Sequence, residues 1–166
     1  MIVVTPAEPV HAEGIVALAE EMDRFYGATD VDPLEVRLRQ INDAIFAPQP
    51  TANALLAWDG GRLVGLAAYS FLWPAVGLTR SLFLKELYVV ESARRSGVGE
   101  QLMRAVFAIA VKHDCSRVEW QTESTNADAR AFYAKIGAPE FGGKVSYRVD
   151  DELLQRLTGT DSDSFG

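Results

Sequence analysis

The chain has 166 residues, 48% of them hydrophobic, and a formal net charge of -7 at pH 7. This length suits one domain with a substantial core. The negative charge argues against a nucleic-acid partner, which needs a basic face, and suits a cationic substrate. No apolar run reaches the roughly 18–20 residues that cross a bilayer, and the first residues lack the basic region of a signal peptide. We therefore expect a cytoplasmic protein with no membrane partner.

Cysteine and histidine are scarce, with one cysteine and two histidines in the whole chain. Cys115 alone excludes an internal disulfide and a cysteine-based metal cluster. His11 and His113 are far apart in the sequence, and neither belongs to a metal-ligand spacing. We expect no bound metal.

The first predicted element is a short strand at residues 2–4. Residues 5–8 (TPAE) are typical of a capping box with proline at the first helical position, so we predict that a helix begins there. Its apolar residues recur at helical spacing up to about Gly27. A second helix is predicted after Pro33 and ends before Pro48.

A hairpin is predicted next. Residues 53–58 and 62–71 are rich in strand formers, and the Asp59-Gly60-Gly61 sequence between them suits a turn with positive φ. A further strand follows at residues 81–90.

The second half of the chain predicts strands that alternate with helices. A long helix with an apolar stripe is predicted at residues 97–113, a strand at 117–121 and a helix at 127–136. Another strand is predicted at 141–149. Residues 150–157 then form a last short helix, with Asp150 as its N-cap.

The element order predicts an α+β fold with a mixed, mostly antiparallel central sheet flanked by helices. We find no internal repeat and no linker in residues 1–158, which we interpret as a single domain. Residues 159–166 (GTDSDSFG) have the composition of a flexible acidic tail.

A glycine-rich loop separates the strand at 81–90 from the long helix. Amides at a helix N-terminus have no partner inside the helix, and the helix dipole adds positive charge there, so such a loop can hold an anion. A plain helix start with a glycine turn is the alternative. The loop and the first helical turn consist of Arg94, Arg95, Ser96, Gly97, Val98, Gly99 and Glu100.

These residues resemble the GCN5-related N-acetyltransferase (GNAT) superfamily, and within it the diamine/spermidine acetyltransferase-like branch. Residues 94–99 match the acetyl-CoA motif Gln/Arg-x-x-Gly-x-Gly/Ala. Residues 84–89 (LKELYV) look like the branch's LEDLYV. Residues 126–133 match N-x-x-A-x-x-FY, which looks like its closing CoA motif. The element order is similar from Ile2 to Val149.

The resemblance implies a GNAT-type acyl-CoA N-acyltransferase fold and an acetyl-CoA-dependent N-acetyltransferase. Acetyl would move directly to a primary amine that is small, polyamine-like or amino-acid-like. A homodimer is also implied. The implied contacts to the acetyl-CoA donor are the loop residues above, together with Leu87, Tyr88, Val89, Asn126 and Phe132.

The resemblance implies that Tyr133 is the general acid. A tyrosine is protonated at pH 7 and can donate to a leaving thiolate, although a core aromatic is the alternative. Glu86 aligns with the second acid of the branch's motif and is the candidate base, but Lys85 stands where relatives have the first acid. Strict strand alternation places these two residues on opposite faces. Glu119 and Glu123 are alternative bases.

The acceptor is expected to contact Glu21, Tyr26 and Trp73. An anionic, aromatic wall for a cation could be formed by Glu20, Glu21, Asp23, Phe25 and Tyr26, although a solvated acidic helix face is the alternative and is preferred for Glu20. Two other function classes stay open. One is an acyl-CoA sensor or interaction module of the same fold without turnover, which the loss of the first acid would suit. The other is a protein lysine acetyltransferase.

Overall fold

The computed structural model describes residues 1–159, which divide into two compact units. The N-terminal unit is Met1–Ala127. The C-terminal unit starts at Asp128 and is described as far as Gly159. The acidic tail predicted at 159–166 lies, apart from Gly159, outside the described residues. The single domain predicted for residues 1–158 stays a prediction.

The N-terminal unit is built on a five-stranded sheet with the order β1-β2-β3-β4-β5. All neighbours are antiparallel except β4 and β5, which are parallel. This arrangement confirms the predicted α+β class with a mostly antiparallel sheet. The strands are β1 (Ile2–Pro6), β2 (Asn53–Asp59), β3 (Arg62–Leu72), β4 (Arg80–Val89) and β5 (Cys115–Trp120).

Five α-helices are described, and α4 begins at the last residue of the N-terminal unit. Two short 3₁₀ turns, Pro9–His11 and Glu91–Ala93, precede α1 and α3. The helices are α1 (Ala12–Phe25), α2 (Leu34–Ile45), α3 (Val98–Lys112), α4 (Ala127–Lys135) and α5 (Asp151–Leu157).

Helices cover both faces of the sheet. On one face, a Cβ placed on Gly14 of α1 would lie 3.4 Å from Leu63 Cδ2. On the other, Gly65 lies against Val98 and Leu102 of α3. Leu63 and Gly65 pair with adjacent residues of β2, whose side chains point to opposite faces of a strand. The core of the unit therefore forms on both sides of β3.

The predicted capping box at residues 5–8 is wrong. Antiparallel pairing with β2 continues to Pro6, so the strand is longer than predicted. Proline is tolerated there because β1 is an edge strand. The capping box is formed three residues later, by Glu8 and His11 around Pro9 at the first helical position.

The strand predicted at residues 141–149 is also wrong, because no strand is assigned there. Gly143 has a φ of 93°, and every residue of the segment is exposed. The alternation of Val145, Tyr147 and Val149 is typical of a strand, but a strand needs a neighbour to pair with. The helix predicted after it is confirmed as α5, although Asp150 makes no side-chain capping hydrogen bond.

Gly65 allows α3 to pack closely on β3. A Cβ at this position would lie 3.0 Å from Leu102 Cδ1, 3.1 Å from Val98 Cγ1 and 3.2 Å from the Tyr88 carbonyl oxygen. Gly65→Ala should therefore lower the free energy of unfolding by about 1–3 kcal/mol, the usual cost of overpacking. Urea unfolding measures this change. The control is Gly14→Ala, which adds only an ordinary contact and should be neutral or stabilising. Equal stability of the two variants would contradict the packing account.

Candidate active site

A β-bulge at Lys85 interrupts the pairing of β4 with β3. Tyr69 pairs with Leu84 and the next β3 residue, Ala68, pairs with Glu86, so Lys85 has no partner on β3. One extra residue reverses the face to which all later side chains of the strand point. Strict alternation was assumed from the sequence at positions 85 and 86, and the bulge breaks that alternation. Because of it, Glu86 and Tyr88 point to the face opposite to that of Leu84.

Glu86 is half-buried on the face of the sheet that α1 covers. Burial raises the pKa of this carboxyl above its usual value, Lys85 lowers it, and Asp23 of α1 raises it. No hydrogen bond or ion pair to its carboxylate is present within residues 1–159. Glu86 can therefore take up a proton, as a general base must.

The outer side of β4 is open beyond the bulge. The parallel pairing of β4 with β5 ends at Leu84 and Trp120. Among the described residues no strand pairs with the 85–89 segment on that side. The predicted donor contacts at Leu87, Tyr88 and Val89 lie on this segment. An extended ligand with amide groups could add here as a strand does.

The glycine-rich loop adopts the geometry of a helix start. Gly97 is the N-cap of α3 and has a φ of 87°, a left-handed conformation that glycine adopts without strain. The backbone N–H of Gln101 donates to the Gly97 carbonyl at 3.0 Å. The amides of Val98, Gly99 and Glu100 come before this bond, so they have no carbonyl partner within the helix. Amides of this kind can bind an anion.

Arg94 fixes the loop against β4 and α1. Its Nε donates to the Val89 carbonyl oxygen at 2.9 Å. Its guanidinium carbon lies 4.3 Å from the centre of the Phe25 ring and 5.6 Å from that of Tyr88. Arg94 was predicted to bind the donor, and here it contacts protein groups. The Val89 oxygen has a second lone pair and can still accept from a ligand.

The remaining loop residues differ in their contacts. Arg95 is exposed and has a φ of 63°, a conformation that is uncommon for a residue with a side chain. The Ser96 hydroxyl donates to the Ala93 carbonyl. Glu100 forms an ion pair with Arg104 at 2.8 Å. Of these three residues, Arg95 is the one that carries an exposed cation.

Tyr88 connects β4 to the acidic end of α1. Its hydroxyl donates to Glu21 Oε1 at 3.1 Å, and burial followed by this hydrogen bond raises the pKa of the phenol. Phe25 contacts Tyr26 edge-on, with ring centres 5.2 Å apart. Glu21 and Tyr26, two predicted acceptor contacts, thus lie at the end of α1 near Arg94.

Other carboxylates of α1 are held by ion pairs. Glu20 pairs with Arg24 at 2.9 Å and with the buried Arg37 at 3.1 Å. Asp23 also pairs with Arg37, at 3.5 Å. Since Arg37 is almost fully buried, these contacts join α1 to α2. Glu20 therefore has a structural role.

The two alternative bases lie on and after β5. Glu119 pairs with Arg117 at 3.3 Å, and Glu123 is exposed. Trp73, the third predicted acceptor contact, lies between β3 and β4, and its Nε1 donates to the Leu78 carbonyl at 2.9 Å. Glu86 is half-buried and has no ion pair within the described residues. Glu119 forms an ion pair and Glu123 is exposed, so neither matches Glu86 in both respects.

The remaining predicted residues lie at α4. Asn126 immediately precedes this helix, and its backbone N–H donates to the Glu123 carbonyl at 2.9 Å. Phe132 and Tyr133 belong to the C-terminal unit, with ring centres 5.2 Å apart. The roles of Asn126 as a donor contact and Tyr133 as the acid stay predictions.

Two features of the site went unnoticed in the sequence. One is the bulge, which could have been suspected from the charged pair Lys85-Glu86 inside the otherwise apolar strand β4. The other is the contact of Arg94 with Phe25 and Tyr88, which joins residues far apart in the chain. Within residues 1–159 no group of side chains could hold a metal ion, and no helix there is long and apolar enough to cross a membrane.

The profile of the Acetyltransferase (GNAT) family matches residues 15–138. The chain belongs to this family. It is 27% identical over 104 residues to a thialysine N-epsilon-acetyltransferase of Mus musculus, a match that covers 61% of this chain and only 61% of that relative's length. It is 31% identical over 85 residues to an L-ornithine N5-acetyltransferase of Arabidopsis thaliana, covering 51% of this chain and 37% of the relative.

A match to a solved structure covers more of the sequence. An integron cassette protein from the mobile metagenome of V. cholerae superposes with a TM-score of 0.87 at 28% identity. The superposition covers 96% of this chain and 98% of that one. The likeness therefore extends past residue 127 into the C-terminal unit.

Ionisation of Glu86 should oppose folding. Its pKa is raised in the folded chain, so the protonated carboxyl stabilises the fold relative to the ionised one. This contribution to stability is full below the pKa of the unfolded state and is lost as the pH rises through the pKa of the folded state. Glu86→Gln should therefore raise the melting temperature at pH 7–8 and raise it less near pH 4. Thermal denaturation across this pH range measures the difference. Glu123→Gln, at an exposed position, is the control, and a Glu86→Gln effect independent of pH would contradict the account.

Proposed function

We propose that this chain is an acetyl-CoA-dependent N-acetyltransferase that moves acetyl directly to a primary amine. The observation that carries the proposal is the position of the open side of β4 next to the glycine-rich start of α3. Family membership supports acetyl-CoA as the donor.

The described residues fit the donor at two points. The free amides of Val98 to Glu100, with the exposed Arg95, suit a pyrophosphate group. The open side of residues 85–89 suits an arm that carries two amide groups. When bound, the donor supplies a thioester whose acetyl group can be transferred.

Glu86 would deprotonate the acceptor. An ammonium with a pKa near 10.4 costs about 4–5 kcal/mol to deprotonate at pH 7, so a base must accept its proton. The raised pKa of Glu86 brings this carboxylate closer to the working pH. The neutral amine then attacks the acetyl carbon, its nitrogen releases a second proton to solvent, and the C–S bond breaks to give the amide and the thiolate. Tyr133 would protonate the leaving thiolate.

The acceptor would be a small, amino-acid-like amine. Thialysine and ornithine, named for two relatives, both carry a side-chain amine. The acidic and aromatic end of α1, with Glu21 and Tyr26, offers such a cation charge and ring contacts. Trp73 is the third proposed contact. The net charge of -7 would attract a cation over longer distances.

A homodimer and a cytoplasmic location are part of the proposal. The homodimer is supported by exposed apolar residues at the end of the chain, among them Phe141 and Tyr147, which are 87% and 92% exposed. A surface of this kind is typical of an interface between proteins.

Turnover is tested by measuring thiol release from acetyl-CoA with a panel of amines. The panel contains ornithine, thialysine, a polyamine and an aminoglycoside. We expect release with at least one amino-acid-like amine, and a loss of roughly 10²–10⁴-fold in kcat/KM for Glu86→Gln, the usual contribution of a general base. Glu123→Gln should retain activity. Stabilisation by acetyl-CoA without release with any amine would instead support a sensor module.

Donor binding is tested at the loop. Gly97→Ala introduces a side chain at a φ of 87°, which costs about 1–2 kcal/mol and shifts the amides of α3. The Kd for acetyl-CoA, measured by calorimetry, should rise roughly tenfold. Gly60→Ala, in the turn between β2 and β3, has a similar φ of 56° and an equally open site. It should leave the Kd unchanged, and an equal effect of both variants would contradict phosphate binding at the loop.

A further inference from the structure

Lys85 is the extra residue of the bulge in β4. Its two neighbours in the strand pair with adjacent residues of β3, whereas Lys85 has no partner there. On the other side of β4, the described pairing with β5 ends at Leu84. The bulge therefore places Lys85 beside Glu86, at the start of the open side of β4. All of these residues belong to the N-terminal unit.

The ammonium group of Lys85 is available for a ligand. Within residues 1–159 it forms no hydrogen bond and no ion pair, and the side chain is exposed. It lies close enough to Glu86 to lower the pKa of that carboxyl, yet the two groups do not form an ion pair. A lysine ammonium is a compact charge with three N–H donors. Lys85 can therefore donate to an anionic group without first breaking a contact with the protein.

The surroundings of Glu86 suit an ammonium better than a carboxylate. Asp23 of α1 acts on Glu86 as a second negative charge. Two further cations, Arg37 and Arg94, are held in contacts within the protein. A carboxylate brought to this region would be repelled by the acidic groups unless a free cation lay nearby. Lys85 supplies such a cation next to the position of the reacting amine.

We propose that Lys85 selects acceptors that carry a carboxylate as well as the amine to be acetylated. The amine lies at Glu86, and the acceptor carboxylate accepts a hydrogen bond from the Lys85 ammonium. The substrate class is therefore that of amino acids and not that of polyamines. This inference rests on the proposed acetyl transfer with Glu86 as the base, and it adds the residue that distinguishes between the two kinds of acceptor.

The charge of Lys85 acts on both kinds of acceptor, in opposite directions. A carboxylate next to Lys85 gains a charge-assisted hydrogen bond, which is stronger than one between neutral groups. A diamine without a carboxylate instead brings a second ammonium, which the Lys85 ammonium repels. Specificity is the difference between the two binding free energies, so attraction of one acceptor and repulsion of the other both contribute to it.

The selection is tested with ornithine and putrescine, because putrescine is ornithine without its carboxylate. Thiol release from acetyl-CoA gives kcat/KM for each amine, and the wild type should prefer ornithine. Lys85→Met should lower the ratio of kcat/KM for ornithine to that for putrescine roughly ten- to a hundredfold, the usual value of a hydrogen bond to a charged group. Lys85→Glu should reverse the preference, because it replaces the attracting charge with a repelling one.

Lys112→Met is the matched control, since it removes the same charge from an exposed position at the last residue of α3. It should leave the ratio unchanged, which separates a contact at Lys85 from an effect of net charge. An influence of Lys85 on the pKa of Glu86 would change both acceptors alike, because both lose a proton to the same base. An equal change for the two amines in Lys85→Met, or a wild type that does not prefer ornithine, would overturn the proposal.

Calorimetric binding of the two amines separates failure of this inference from failure of the proposed function. If the wild type releases no thiol with any amine, acetyl transfer is wrong, and the Kd values of ornithine and putrescine still decide the role of Lys85. Tighter binding of ornithine that is lost in Lys85→Met would support the carboxylate contact, whereas equal binding of the two amines, or none, would overturn it. If the wild type acetylates putrescine but not ornithine, the function stands and the selection by Lys85 is wrong.

Discussion

The bulge at Lys85 is the constraint on which the site depends. It reverses the alternation of β4, so Glu86 and Tyr88 point toward α1 although Leu84 before them points the other way. Pairing with β5 also ends at this point, which leaves the rest of β4 open on one side. The redirected carboxylate and the start of the open edge thus coincide within residues 84–86. Bulges next to active sites commonly serve to redirect a side chain in this way.

Charge pairing around the bulge leaves Glu86 available for chemistry. Arg37 forms ion pairs with Glu20 and Asp23. Arg94 stacks on the rings of Phe25 and Tyr88. Arg37 and Arg94 are therefore engaged with other groups, and neither forms an ion pair with Glu86. Burial without a partner raises the pKa of its carboxyl. The same burial lowers the stability of the fold when Glu86 is ionised and raises the affinity of its carboxylate for a proton.

The sequence allowed much of the fold to be predicted because local signals agreed with the sheet. Gly60 and Gly61 have the positive φ expected for the predicted hairpin turn. Helix α2 begins directly after Pro33, as predicted. The capping box was misplaced because strand pairing to Pro6 overrode a local helix signal. The strand expected at 141–149 failed for a related reason, since strand formation depends on a partner that local pattern does not specify.

The site was predictable where it follows from a local motif. The glycine-rich loop forms the expected start of α3, with Gly97 as its N-cap. The surroundings of Glu86 were not predictable, because they depend on a register shift and on contacts between α1 and β4. Strict alternation was the reasonable assumption for a strand, and a single bulge was enough to make it fail.

A crystal structure of the protein with CoA and an acceptor amine would test the central claim most directly. The account predicts the pyrophosphate on the amides of Val98 to Glu100 and the arm along the open side of residues 85–89. The acceptor nitrogen should lie within hydrogen-bond reach of Glu86, directly or through one water. A CoA arm bound away from β4, or an acceptor nitrogen held by Glu119 or Glu123, would contradict it.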